Sequence, residues 1–135
     1  HHPPLPSHVP LFDILELREQ SLLADIIAGT DVRAILAGHL HYATHGTFAG
    51  VPVSVASATC YSMDIARPAE RVNGMDAGQS LNLVHVRPGT ITHAVVPITG
   101  SPDVTETFTP EWYRAMERLT PEERLERFSR KPPRD

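Results

Sequence analysis

Apolar and polar residues alternate along the chain in blocks that predict a helix first, then strands, then helices again. Apolar residues recur at helical spacing over residues 15–28, and Gly29 follows where a left-handed residue ends many helices. Residues 32–37 are almost continuously apolar up to Gly38, which is typical of a strand buried on both faces. After a proline-rich loop over residues 1–13, the pattern therefore predicts one helix that leads into one buried strand.

Two pairs of apolar segments follow, and each pair flanks a short turn signal. The signals are Ala49-Gly50 and Pro88-Gly89, and both contain the glycine that tight hairpin turns favour. Residues 64–79 are rich in Pro, Asn and Gly and predict a loop between the hairpins. The predicted strands are residues 42–48, 51–55, 81–87 and 90–98. One helix, a buried strand and two hairpins predict an α/β (or α+β) sandwich, in which helices pack near a sheet.

The C-terminal part of the chain differs in composition. Residues 99–108 predict a linker, and residues 109–135 predict a charged tail of two helices, which begin at the capping signals Thr109-Pro110 and Thr120-Pro121-Glu122-Glu123. Residues 106–135 contain seven acidic and seven basic side chains, so the net charge of -4 comes from the earlier part. A solvated helix pair fits this balance, and a partner-binding or membrane-surface helix is the alternative.

Composition excludes several classes of protein. Hydrophobic residues make up 41% and charged residues 21% of the 135 residues, as in ordinary globular domains. No apolar run approaches the ~20 residues of a membrane span, and the single Cys60 excludes an internal disulfide. No basic stripe with interleaved aromatic residues supports a nucleic-acid surface. The lone cysteine and the lack of a signal peptide lead us to expect a cytoplasmic protein.

Histidine is frequent, with eight residues in the chain. His85 and His93 alternate with apolar residues, so we expect both on the polar face of the second hairpin. His39 and His41 follow the buried strand, at the strand end where open α/β sheets collect ligands. Gly38 lets the chain turn sharply there, and two histidines at i and i+2 in extended chain point to the same side. Such a pair suits a metal site, because imidazole binds zinc, iron and manganese.

Two histidine motifs, separated by a helix and a strand, carry a resemblance to a known family. His1-His2-Pro3-Pro4 lies in a loop, and Gly38-His39-Leu40-His41 closes the buried strand. The sequence here resembles the calcineurin-like metallophosphoesterases, and it is most similar to the bacterial class III cyclic-nucleotide phosphodiesterases. The stretches that carry the similarity are residues 29–42, 52–61 and 82–86. The resemblance covers residues 1–98, and the tail is not diagnostic.

The resemblance implies a fold and a chemistry. Residues 1–98 would form the C-terminal half of a four-layer αββα sandwich whose two metal ions (Fe, Mn or Zn) hydrolyse phosphodiesters such as 3',5'-cAMP. His1 and His39 would bind one ion, with His2 as a neighbour. His41 would bind the other ion and act next to the phosphate as the catalytic histidine. The implied partner is a small-molecule phosphodiester, and a homodimer is possible. Thr59, Cys60 and Tyr61 could touch substrate, with plain packing as the alternative.

The other half of the family's metal site is absent from this sequence. No Asp-x-His, Gly-Asp or Gly-Asn-His occurs in it, and it starts at His1 without a Met. We therefore expect a fragment that is inactive and prone to aggregation through an exposed sheet edge. A nucleotidase or phosphomonoesterase specificity stays open. So do a non-catalytic binding or dimerisation module and a single zinc site made by His1, His39 and His41.

Overall fold

A computed structural model describes residues 1–100, 102–103 and 108–129 of the chain. The chain divides into two compact units, residues 1–100 and residues 101–135. The strands are β1 (Ile35–Ala37), β2 (Thr44–Phe48), β3 (Val51–Val55), β4 (Ser62–Met63), β5 (Gly74–Met75), β6 (Ser80–Val86) and β7 (Ile91–Pro97). The helices are α1 (Gln20–Ile27), α2 (Pro110–Glu117) and α3 (Pro121–Ser129), with two short 3-10 helices over Pro10–Leu15 and Ala69–Arg71.

This element order confirms the predicted mixture of helices and strands and the two C-terminal helices. The four-layer sandwich stays a prediction. None of the helices that the structure describes has the length and apolar character needed to cross a membrane.

A three-stranded sheet in the order β1-β3-β2 organises the first unit. β3 runs parallel to β1 and antiparallel to β2. Ala49 and Gly50 both have positive φ, 47° and 80°, as a tight hairpin turn between β2 and β3 requires. On one face of the sheet, Val53 and Val55 pack into the core, whose other buried members are Leu5, Leu40 and Tyr42. The N-terminal loop and the segment after β1 therefore share one core with the sheet.

The hairpin β6–β7 contacts the opposite face of this sheet. The Asn82 amide on β6 donates to the buried Ser54 hydroxyl on β3 at 3.1 Å, and Arg33 donates to the Arg87 carbonyl at 2.6 Å. Register pairs His85 with Thr92 and His93 with Val84. Because cross-strand partners share a face and neighbours along a strand alternate, His85 and His93 lie on opposite faces. The expectation that both occupy one polar face was wrong.

Two other expectations in this unit need correction. α1 begins at Gln20 rather than at residue 15. The residues before it bond to the N-terminal loop instead of to a helix: the Glu16 carboxylate accepts from the Ser7 amide at 3.1 Å, and the Leu15 carbonyl accepts from His2 at 2.7 Å. Long-range bonds thus replace the helical bonds that periodicity predicted.

The strand predicted to be buried on both faces is partly buried on one face and exposed on the other. β1 is a three-residue edge strand, and Leu36 on its second face is 58% exposed. The loop predicted over residues 64–79 contains β5, which pairs with β4 as a two-residue ladder. Such short pairing leaves too few alternating residues for a sequence pattern to reveal.

The second unit contains α2 and α3, and both begin where their capping signals predict. The Thr109 hydroxyl accepts from the Trp112 amide at 3.2 Å. At α3 the Thr120 hydroxyl accepts from the Glu123 amide at 3.2 Å, while the Glu123 carboxylate accepts from the Thr120 amide at 2.8 Å. This reciprocal pair is a complete capping box. The predicted linker lies partly, and the last six residues of the tail entirely, outside the described residues.

Candidate functional site

His1 and His39 meet although they stand 38 positions apart in the sequence. The Gly38 amide donates to the His1 carbonyl at 3.0 Å and fixes the start of the chain beside the end of β1. The side chains then approach until His1 Nε2 lies 2.9 Å from His39 Nδ1. The His2 ring lies against the His39 ring with 4.0 Å between the ring centroids. Three imidazoles therefore share one patch beyond the sheet edge.

The turn that presents these histidines is centred on His39 rather than on Gly38. His39 has φ of 75° and His41 has φ of 59°, whereas Gly38 does not adopt a positive φ. The Leu40 amide donates to the Gly38 carbonyl at 3.0 Å, which closes a γ-turn around His39. The two histidines are therefore not in extended chain, and that sequence-based premise was wrong. Backbone held in the left-handed region by non-glycine residues is a strain that often accompanies a functional site.

Leu40, between the two histidines, anchors the strained turn. Its side chain is 1% exposed and belongs to the core of the sheet. Burying a whole leucine contributes roughly 1.5–3 kcal/mol, which offsets the cost of a left-handed residue, about 1–2 kcal/mol. Packing of Leu40 therefore holds His39 and His41 at the surface of the sheet.

His41 has one ring nitrogen assigned by its partner. Its Nδ1 lies 3.1 Å from the Tyr61 carbonyl oxygen. A carbonyl can only accept, so Nδ1 carries the proton and Nε2 of a neutral ring keeps its lone pair. A metal-binding histidine usually has this arrangement, with the second nitrogen bonded to a backbone carbonyl or carboxylate. His41 is therefore prepared to bind an ion or a proton through Nε2.

His2 is held in the same manner but by another segment. Its Nδ1 donates to the Leu15 carbonyl at 2.7 Å, at the end of the first 3-10 helix. The geometry thus brings His1 and His39 into direct contact and ties His2 to a neighbouring segment. The sequence motif gave no sign that Leu15 would supply this contact.

His39 is half-buried. Burial lowers the pKa of His39, and the neighbouring charges of His2, His41 and the chain's amino terminus lower this pKa further. The neutral imidazole favoured in this way is the form that binds metal ions. Its Nε2 is buried, and no atom of the described residues forms a hydrogen bond with it. A buried ring nitrogen without a partner indicates that a further group belongs at this position.

The histidine pair has a spacing close to that of two ligands on one ion. Imidazole nitrogens bound at ~2.0–2.1 Å to a tetrahedral ion lie about 3.3 Å apart, and His1 Nε2 and His39 Nδ1 lie 2.9 Å apart. Within the described part of the chain, however, no three His, Cys, Asp or Glu side chains converge in a geometry that could hold an ion. The chain therefore offers a pair of donors and one separate donor, His41, rather than a complete site.

The predicted substrate wall lies beside His41. The Tyr61 ring packs on the His41 ring with 4.3 Å between centroids, and Cys60 Sγ lies 3.9 Å from His41 Nδ1. Cys60 and Thr59 are exposed. Sequence analysis identified these three residues but missed that the Tyr61 backbone, rather than its side chain alone, positions His41. A backbone contact of this kind leaves no signal in residue type.

Comparison with known proteins gives two close relatives, whereas no protein-family model matches the chain. Over 104 residues the chain is 54% identical to a cAMP/cGMP dual specificity phosphodiesterase of Mycobacterium tuberculosis. The matched segment covers 77% of this chain and 33% of that protein. Over 98 residues it is 57% identical to a probable cyclic nucleotide phosphodiesterase of Rhodococcus erythropolis, 73% of this chain and 33% of that protein. The chain thus spans about a third of the length of these curated relatives.

Proposed function

We propose that this chain supplies part of the active site of a calcineurin-like metallophosphoesterase that hydrolyses cyclic nucleotides of the 3',5'-cAMP type. The observation that carries the proposal is the contact between His1 Nε2 and His39 Nδ1 at 2.9 Å, next to a His41 ring whose Nε2 is free to bind. The relatives named as cyclic nucleotide phosphodiesterases support the substrate class, at more than half identity over the matched residues.

In this proposal His1 and His39 hold one metal ion, and Nε2 of His41 faces a second ion and the phosphate. Iron, manganese and zinc all suit imidazole donors. Two such ions, when bound, polarise the phosphate and lower the pKa of a bound water, so that a nucleophile exists near neutral pH. The remaining donors would come from residues other than those that converge here, since the described residues supply no complete set.

The chain's own residues prepare these donors for binding. The Tyr61 carbonyl keeps the proton of His41 on Nδ1, and burial favours the neutral form of His39. Cys60 lies beside His41, with Sγ 3.9 Å from Nδ1, and Thr59 and Cys60 are both exposed, so both can contact a bound ester. A chain that holds only this half of the site should bind metal weakly and hydrolyse no substrate.

Metal binding tests the ligand assignment directly. We expect titration calorimetry with Mn²⁺ or Zn²⁺ to show metal binding. His39→Ala and His1→Ala should each lower the metal affinity by more than about a hundredfold, because removing even a hydrogen-bond partner of a metal-binding side chain lowers it 10–100-fold. His45→Ala is the matched control, because His45 is an exposed histidine on β2, away from the histidine patch. If His45→Ala weakens binding as much as His39→Ala does, the assignment is wrong.

Hydrolysis tests the reaction class. We expect this chain with Mn²⁺ to leave 3',5'-cAMP intact, and a polypeptide extended by the upstream coding sequence to hydrolyse it. In that longer polypeptide His39→Ala should abolish turnover and His45→Ala should not. Faster hydrolysis of nucleoside monophosphates than of cyclic nucleotides would instead identify a nucleotidase or phosphomonoesterase. Absence of all hydrolysis in the longer polypeptide would favour a binding module.

A further inference from the structure

An apolar groove opens beside the Tyr61 ring. The 3-10 helix over Pro10–Leu15 forms one side of the groove, and the β4–β5 region forms the other. The part of the groove between the 3-10 helix and Val72 has a volume of about 440 Å³, and the more open part beside Tyr61 has about 610 Å³; both are within the range of small-molecule sites, roughly 300–1,000 Å³. We call it the Tyr61 groove, and its principal lining residues are Leu11, Phe12, Tyr61, Met63, Val72 and Met75.

Hydrogen bonds join both walls of the Tyr61 groove to the histidine segments, residues 1–9 and 38–42. The 3-10 helix ends at Leu15, whose carbonyl accepts from His2 at 2.7 Å. On the other wall the Met63 amide donates to the His41 carbonyl at 2.8 Å. A molecule that fills the groove therefore lies near the His41 ring, because the Tyr61 ring lines the groove and also packs on His41.

The position of the Tyr61 ring depends on Gly74 in β5, the strand that pairs with β4. A Cβ atom built on Gly74 would lie 2.8 Å from Tyr61 Cδ2, closer than real Cβ contacts. The absence of a side chain at residue 74 thus lets the ring pack between β5 and His41. Tyr61 as a whole is 44% exposed, so part of its surface is accessible to a ligand.

The charges around the groove indicate which part of a ligand it suits. Its lining includes the acidic residues Glu70 and Asp76, and no Lys or Arg among the described residues that form it. The Asp76 carboxylate is held in place, because it accepts from the Gln79 amide at 2.6 Å. An anionic phosphate is repelled by such a lining, whereas a flat uncharged ring with amino donors is accommodated.

We propose that the Tyr61 groove binds the nucleobase of a nucleotide whose phosphate lies at His39 and His41, an inference that rests on the proposed function. The base packs against Tyr61 and Leu11, and Asp76 accepts a hydrogen bond from a base N–H. Tyr61 then separates the two ends of the ligand: its carbonyl orients the histidine at the phosphate, and its ring contacts the base. Tyr61 is in this sense a specificity residue for nucleotides over other phosphate esters.

Ligand-observed NMR on the chain with Zn²⁺ present can test this with 5'-AMP and ribose 5-phosphate, which carries a hydroxyl group where AMP carries the base. We expect AMP to bind about tenfold or more tightly, with saturation transfer to adenine protons, because stacking on an aromatic side chain is worth about 1–3 kcal/mol per base. Leu11→Ala and Tyr61→Ala should each remove most of that difference. In Leu11→Ala, ribose 5-phosphate binding should stay within about twofold, since Leu11 contacts the base alone. Tyr61→Ala also removes the ring that packs on His41, so its effect is judged by the ratio of the AMP and ribose 5-phosphate affinities.

Ile14→Ala is the matched control, because Ile14 lies on the same 3-10 helix and is 76% exposed, as Leu11 is at 73%, but does not line the groove. It should leave both affinities unchanged. Equal binding of AMP and ribose 5-phosphate would overturn the groove assignment and leave the proposed function standing. Binding of neither phosphate compound would overturn the proposed function and the groove assignment together. Equal losses in Ile14→Ala and Leu11→Ala would also contradict the assignment.

Discussion

The two histidine segments, residues 1–9 and 38–42, contrast with helices α2 and α3 in how their conformations are held. The histidine segments depend on partners far away in sequence, such as the Gly38 amide on the His1 carbonyl. The helices start at caps whose donor and acceptor lie three residues apart. One region is thus specified by tertiary contacts and the other by local sequence.

The contrast extends to backbone strain. His39 and His41 occupy the left-handed region without being glycine, whereas the helix starts use conformations that Thr and Pro favour. A strained backbone conformation persists only where the packing of the surrounding residues enforces it. The histidine segments should therefore respond to changes in core packing, and the helices to changes in their own caps.

Removing the anchor of the strained turn should have the largest effect. Leu40→Ala deletes a side chain that is 1% exposed, and we expect it to lower the free energy of unfolding by about 2–5 kcal/mol. Leu125→Ala is the matched change in α3, where the leucine is 69% exposed, and should stay within about 0.5 kcal/mol. Urea denaturation followed by circular dichroism measures both. Similar losses in the two variants would show that the contrast between the regions is wrong.

Overfilling the contact between the N-terminal loop and the sheet should have the next largest effect. A Cβ atom on Gly46 would lie 2.9 Å from Leu5 Cδ2, so Gly46→Ala should cost about 1–3 kcal/mol of stability. In a Leu5→Ala background the same change should cost little, because its partner is gone. Gly89→Ala is the control, since a Cβ atom there meets nothing within 4 Å. Equal cost in both backgrounds would exclude Leu5 as the cause.

Sequence predicted the starts of α2 and α3 to the residue, because their capping signals are short-range; it misplaced the start of α1, where long-range bonds decide. Residue type and spacing also singled out His39 and His41 as metal ligands, and the family resemblance added His1; the role of all three stays a prediction. Sequence could not place the turn on His39, since Gly38 is the residue with greater freedom and packing of Leu40 decides the outcome. Nor could it show that the Leu15 and Tyr61 carbonyls orient His2 and His41, since those bonds span 13 and 20 residues.

The exposed side of the sheet illustrates the same limit. Leu36 lies in an apolar run that predicts burial, yet it is 58% exposed. An apolar pattern indicates which side chains gain from burial. Whether a given side chain is buried depends on the elements that pack next to it. The hairpin β6–β7 reaches the sheet through Asn82 and Ser54 without covering Leu36 fully.

The glycine and alanine variants should have opposite orders of stability in the two regions. At residue 41, where φ is 59°, His41→Gly should be more stable than His41→Ala by about 1 kcal/mol, because alanine keeps the Cβ clash of the left-handed conformation. At residue 125, inside α3, Leu125→Ala should be more stable than Leu125→Gly by about 1 kcal/mol. Thermal denaturation of the four variants measures both differences. The same ranking at both positions would mean that residue 41 is not strained.

The smallest effect should come from the cap of α3. Thr120→Ala removes the hydroxyl that accepts from the Glu123 amide and breaks the capping box, at a cost of about 0.5–2 kcal/mol. Hydrogen exchange at the Glu123 amide should therefore accelerate about fivefold, while Thr120→Ser, which keeps the acceptor, should leave it unchanged. Exchange of the Gly38 amide, bonded to His1, should not respond, because the caps of α3 act within α3. Acceleration there as well would show that the helices contribute to holding the histidine segments, and that local and tertiary control are not separate in this chain.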